Sequence, residues 1–144
     1  MIMKIEFTSL AVLLALGICA CSQADSSKLA ALADQGGTVA RNVSIAEADK
    51  LLKTDKSIVV LDVRTADEFK AGHIPGAKNV DFYKPDFKTK LGELDRGPTY
   101  LVHCKAGGRS AKTEATMKNL KFKSVLHLNE GFSKWEAAGK PVEK

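Results

Sequence analysis

From Asn42 onward, short apolar runs alternate with capped, amphipathic segments, and no other feature of the chain narrows its possible folds as far. Ser57-Ile58-Val59-Val60-Leu61-Asp62-Val63 is apolar without a period of two, the pattern of a strand covered on both faces. Residues 99–103 and 124–128 are also read as strands, and 77–82 as a short one. Between them, Ser44-Ile45-Ala46-Glu47 and Thr65-Ala66-Asp67-Glu68 are capping boxes that open helices. The first carries an apolar stripe at Ile45, Ala48, Leu51 and Leu52; the second is short and stops at Gly72. Further helices are expected over 87–94, 109–120 and 132–138, the last closed by Gly139 and Pro141. Such alternation predicts an α/β fold with a mostly parallel central sheet and helices on both faces. Ligands of these sheets bind beyond the carboxyl ends of the strands.

The chain has 144 residues, 44% hydrophobic and 27% charged, which suits one globular domain plus an appendage and excludes wholesale disorder. Three cysteines are too few for a dense disulfide scaffold. The 22 Lys and Arg exceed the 17 Asp and Glu by five. The lysines are scattered, without an aromatic-interleaved basic stripe, so nucleic acid is not an expected partner. The excess charge can still help draw in a small anion.

The amino terminus reads as an address. Residues 7–20 form an apolar run of signal-peptide length, too short for a comfortable membrane span. Its end, Ile18-Cys19-Ala20-Cys21, resembles the bacterial lipobox, whose cysteine is acylated after cleavage. Cys21 fits better than Cys19 because small Ala20 precedes it, whereas bulky Ile18 precedes Cys19. Residues 1–20 are therefore expected to be a lipoprotein signal, with Cys21 the lipidation site; a plain secretory signal cut nearby is the other reading. Two or three acyl chains would anchor the exported protein to a bacterial membrane on its periplasmic side. Ser22 after the cysteine implies, by resemblance to Gram-negative lipoproteins, the outer membrane. Residues 21–41, rich in Ser, Ala, Asp, Gln and Gly, read as a flexible linker, and 42–144 as the domain.

The chemistry is concentrated after the strand at 99–103, in His103-Cys104-Lys105-Ala106-Gly107-Gly108-Arg109-Ser110. A cysteine leaves a buried strand, a tight loop with two glycines follows, and an Arg opens a helix. Successive backbone N–H groups in such a loop converge into an anion-binding nest, with the helix N-terminus aimed at the same point. Gly107 and Gly108 are expected to permit positive φ and close approach. A thiol at the centre should have a lowered pKa. Lys105, Ala106, Gly107, Gly108 and Arg109 are the candidate anion-binding residues. Asp62 and Arg64, at the end of a central strand, are expected to form an ion pair that braces the loop. Glu68 is read as a helix cap, His73 as satisfying backbone groups in its turn, and Trp135 as a core anchor. No metal is expected, since adjacent His103 and Cys104 should diverge at a strand end and no ligand pair has helical i, i+4 spacing.

Cys104-Lys105-Ala106-Gly107-Gly108-Arg109 resembles the six-residue active loop of the rhodanese (sulfurtransferase) family. Leu61-Asp62-Val63-Arg64, Glu68-Phe69 and Gly72-His73-Ile74-Pro75-Gly76-Ala77 are similar to its amino-terminal signature. Val125-Leu126-His127-Leu128, Gly131-Phe132 and Trp135 resemble its carboxy-terminal one, with Glu130-Gly131 where two glycines are usual. The resemblance implies a rhodanese-like fold over 42–144 and a Cys104 persulfide that carries sulfane sulfur. An anionic donor such as thiosulfate would supply the sulfur, and a thiol, cyanide or protein thiol would accept it, without a cofactor. Arg109 or Lys105 would hold the anionic donor. The alternatives are a cysteine phosphatase or arsenate-reductase-like enzyme, and a non-enzymatic sulfur-carrier or binding module. The phosphatase signature needs five residues between Cys and Arg, and only four stand between Cys104 and Arg109. The sequence does not determine the oligomeric state.

Overall fold

A computed structural model describes residues 37–144. The expected signal at 1–20, Cys21 and most of the linker lie outside the described residues. Ten elements follow in order: β1 (Val39–Val43), α1 (Ile45–Thr54), β2 (Val59–Asp62), α2 (Ala66–Ala71), β3 (Lys78–Asn79), α3 (Phe87–Gly92), β4 (Thr99–His103), α4 (Gly108–Asn119), β5 (Ser124–Leu128) and α5 (Gly131–Ala137). The five strands form one sheet in the order β1-β5-β4-β2-β3, every pairing parallel. This is the α/β arrangement the alternation predicts.

Successive strand residues point to opposite faces, so β2, β4 and β5 each feed two cores. Leu61, Val63, Val102, Tyr100 and Val125 pack with Phe87, Leu91, Met117 and Phe122 on one side. Val60, Leu101, Leu126 and Leu128 pack with Ile45, Ala48, Phe132 and Trp135 on the other. Helices α3 and α4 cover the first face, and α1 and α5 the second. The Trp135 indole N–H donates to the Pro141 carbonyl at 2.8 Å, satisfying its one polar atom in the core.

The domain begins earlier than Asn42. Val39, Ala40 and Arg41 belong to β1, which pairs along its whole length with β5, so these residues are sheet and not linker. Their mixed composition hid them, as it does for an edge strand that a neighbouring central strand holds in place. The strand expected at 77–82 shrinks to two residues, although the Val80 and Phe82 N–H groups still donate to the Asp62 and Val63 carbonyls and the Asn79 side-chain amide adds bonds to the Asp62 and Arg64 carbonyls. The second capping box closes in both directions at Thr65 and Glu68. The first closes in one: Ser44 accepts from the Glu47 N–H, while the Glu47 carboxylate turns to Arg41 at 2.6 Å.

Candidate active site

Parallel β4 delivers Cys104 to the carboxyl edge of the sheet, between β5 and β2. There the chain turns through 104–107 directly into α4. Gly107, at the helix N-cap, has φ +92°, and a Cβ on it would lie 2.2 Å from the Asn129 carbonyl oxygen. Only glycine fits there. Gly108 corrects the expectation made for it: its φ is not positive and a Cβ would meet nothing within 4 Å. It already has helical geometry, so the turn is completed at Gly107.

The loop wraps the sulfur. Cys104 is buried, and its Sγ accepts from the Gly107 N–H at 3.1 Å, with the Ser110 hydroxyl at 3.5 Å. Burial opposes the thiolate. The Ser110 hydroxyl and the backbone N–H groups of Ser110, Ala106 and Arg109 favour it more strongly, and the thiol pKa falls below its ordinary value. A second turn, between β5 and α5, holds the loop from outside. The Phe132 N–H donates to the Cys104 carbonyl at 2.8 Å and the Ser133 N–H to the Lys105 carbonyl at 3.1 Å. Gly131, at φ +71°, permits this approach, because a Cβ there would lie 2.4 Å from the Lys105 oxygen.

Arg109 and Glu68 form a pair that sequence reasoning missed. The Arg109 fork donates both terminal nitrogens to the two Glu68 oxygens, at 2.8 and 3.0 Å. Hydrogen bonds from Arg109, with those from Thr65, outweigh desolvation and pull the Glu68 carboxyl down to about 2. Glu68 thus caps α2 and clamps α4 at once. Its place at the third residue of a capping box signals only the first of these roles.

Asp62 and Arg64 form a buried pair, 2.6 Å at its closest. Arg64 also donates to the Gly72 carbonyl at 2.7 Å, and its guanidinium lies 3.9 Å over the Phe132 ring. Phe132 in turn donates its N–H to the Cys104 carbonyl. His103 points away from Cys104, into the opposite core against Phe132, with its Nε2 3.7 Å from Asp62. Desolvation lowers its pKa to about 4, against the pull of Asp62. His73 receives its turn contacts: Nδ1 is 3.1 Å from the Phe69 carbonyl oxygen, and its backbone pairs with Glu143.

A cleft of about 200 Å³ opens beside the loop, lined by Arg64, Glu68, Gly72, Lys105, Ser133 and Glu136. Lys105 is exposed and lines this cleft next to Cys104 in sequence. A second missed cluster lies behind the sulfur: Ser110 touches His127, and His127 touches Asn42, 85 residues away. Nothing local in the sequence links those last two.

The family model for the rhodanese-like domain matches residues 44–138. Thiosulfate sulfurtransferase 16, chloroplastic, of Arabidopsis thaliana is 31% identical, the match covering 73% of this chain and 94% of that protein. Arsenate reductase 2.1 of Oryza sativa subsp. japonica is also 31% identical, with 75% and 76% covered. A rhodanese-related protein from Thermoplasma volcanium has the same fold, with a TM-score of 0.62 at 29% identity, over 72% of this chain and 97% of that one. The chain spans about half, 49%, of YrkF of Bacillus subtilis (strain 168), to which it is 28% identical over 65% of its own length.

Proposed function

The chain belongs to the rhodanese-like family, and from that premise we propose that it is a sulfurtransferase working through a persulfide on Cys104. The observation that carries the proposal is the buried Cys104 sulfur, its pKa lowered, accepting from the Gly107 N–H at 3.1 Å, with the Ser110 hydroxyl at 3.5 Å. The thiolate attacks the outer sulfur of a donor such as thiosulfate. The donor S–S bond breaks, sulfite leaves with the electron pair, and the sulfane sulfur stays on Sγ. An acceptor thiolate, or cyanide, then attacks that outer sulfur and Cys104 leaves as thiolate. Neither step needs a cofactor. The loop N–H groups hold the negative charge of thiolate and persulfide, and exposed Lys105 attracts the anionic donor.

The test is incubation of the protein with thiosulfate. One sulfite should be released per chain, with a mass gain of one sulfur atom that cyanide or a thiol removes. Cys104→Ser should do neither while staying folded, since a serine hydroxyl is a far weaker nucleophile. Turnover by the folded serine variant would refute Cys104 as the carrier.

The arsenate-reductase relative supports a second reading, in which the loop takes an oxyanion of arsenic or phosphorus. Four residues between Cys104 and Arg109 make a smaller cradle than the phosphatase signature provides. Reduction of arsenate or hydrolysis of an aryl phosphate, without persulfide formation, would favour this reading. A persulfide that forms and is not turned over would mark a carrier module.

We further propose that residues 1–20 are a lipoprotein signal and that lipidated Cys21 tethers the domain to a bacterial membrane on the exported side. The support is the lipobox-like Ile18-Cys19-Ala20-Cys21. Labelled fatty acid should enter the native protein and not Cys21→Ala, and equal labelling of the two would overturn the anchor. With Cys19 lost and Cys21 acylated, Cys104 would be the one free thiol of the mature protein.

A further inference from the structure

Behind the nucleophile lies a buried polar chain that sulfur transfer, as derived above, does not use. Ser110 Oγ is 3.5 Å from Cys104 Sγ and 2.9 Å from His127 Nε2. His127 Nδ1 is 3.0 Å from Asn42 Oδ1 and 3.6 Å from a Glu114 carboxylate oxygen. Ser110 is wholly buried and His127 nearly so. Three separate elements meet there: α4 brings Ser110 and Glu114, β5 brings His127, and β1 brings Asn42. His127 interrupts the apolar run of β5 at a position where desolvating a ring without partners would be costly. Both of its nitrogens instead face oxygen atoms, since Nε2 also lies 3.3 Å from the Gly107 carbonyl.

We propose that His127, acting through Ser110, takes up the proton of the Cys104 thiol and holds it while the sulfur works as a thiolate. The Sγ–H bond breaks and its proton moves to Ser110 Oγ, leaving the electron pair on sulfur. The original Ser110 proton moves to His127 Nε2. The products are thiolate, neutral serine and imidazolium, with total charge unchanged. The Ser110 hydroxyl then donates to the thiolate, Nε2–H donates to Ser110 or to the Gly107 carbonyl, and Nδ1–H stays on Asn42. His127 touches neither donor nor acceptor, so it is a positioning residue that acts through Ser110. The charged groups around it are Glu114 on α4, itself bound to Lys118 at 2.6 Å, and the Cys104 thiolate at the end of β4. On β1, Arg41 is paired with Glu47, and Asn42 supplies a neutral oxygen.

This inference rests on Cys104 working as a thiolate and not on which donor it meets. The test is therefore alkylation of the reduced full chain by iodoacetamide, scored at the Cys104 peptide by mass spectrometry from about pH 5 to 10. His127→Gln and Ser110→Ala should each raise the midpoint by about one unit, slowing alkylation about tenfold on the acid side. The plateau at high pH, where the thiolate forms unaided, should stay level or rise by up to about threefold, since a more basic thiolate is the better nucleophile, whereas distorted packing would lower it. Ser110→Thr keeps the hydroxyl and should restore the native midpoint. The double variant should shift no further than the larger single one. An unmoved midpoint in folded His127→Gln, or a double shift equal to the sum of the singles, would overturn the relay. Should His127→Gln not fold, NMR titration of the His127 ring in wild type and in Cys104→Ser decides. Linkage requires the two curves to differ, and identical curves would overturn the relay. Alkylation involves no sulfur donor, so a failed sulfurtransferase assay leaves this test intact. A native midpoint at the ordinary thiol value would overturn both proposals.

Discussion

At the scale of single residues, the site depends on how its two cations are employed. Arg109 has its fork closed on Glu68, while Lys105 stands exposed at the rim. A bidentate guanidinium–carboxylate pair fixes position as well as charge. An exposed ammonium acts mainly through a field that salt screens. Arg109→Ala should therefore depress turnover with anionic and neutral sulfur donors alike, because α2 and α4 lose their clamp. Lys105→Ala should raise KM for thiosulfate by about 2–5-fold and leave a neutral donor unchanged, the effect fading as salt is added. Steady-state kinetics with both donors, at low and high ionic strength, check this. A loss confined to the anionic donor in Arg109→Ala would show that Arg109 reads the donor's charge in spite of Glu68.

At the scale of elements, two turns do most to hold the loop. The β4–α4 turn presents its N–H groups inward because Gly107 takes a left-handed conformation. The β5–α5 turn presses against it through Gly131. Gly76 offers a matched control, since its φ of +73° equals that of Gly131 within two degrees but a Cβ there meets nothing within 4 Å. Gly76→Ala should cost about 1 kcal/mol, from backbone strain alone. Gly131→Ala should cost about 2 kcal/mol more, and should slow Cys104 alkylation, because its Cβ collides with the Lys105 carbonyl. Equilibrium unfolding of the two variants in urea measures the difference. Equal losses would mean the turns can separate without consequence. The β1 strand adds a third contact at this scale, carrying Asn42 to His127 across the end of β5.

At the scale of the whole molecule, the chain leaves β4 through two neighbours with opposite requirements: His103, its last residue, is to stay neutral, and Cys104 is to be ionised for the proposed transfer. Burial holds the His103 pKa at about 4, against an ordinary 6.5. The unfolded chain binds that proton more readily than the native one between these values, so stability is full above pH 6.5 and falls as pH drops toward 4. The loss should approach about 3 kcal/mol at the acid end. Urea midpoints across this range should show the decline in wild type and a flatter profile in His103→Gln. An unchanged slope would assign the acid sensitivity to another group. Local patterns in the chain determined the alternating α/β order, the strand at 99–103, the capped helices and the cysteine in its glycine loop. Each of these is specified by neighbours within a few residues, through burial period, caps and turn stereochemistry. Tertiary structure alone decided that Val39–Val43 is a strand, that Glu68 reaches Arg109 and that Gly131 abuts Lys105. The same holds for the contact between His127 and Asn42. Those contacts join residues 26 to 85 positions apart, and only the parallel crossovers that order the sheet bring them within hydrogen-bonding distance.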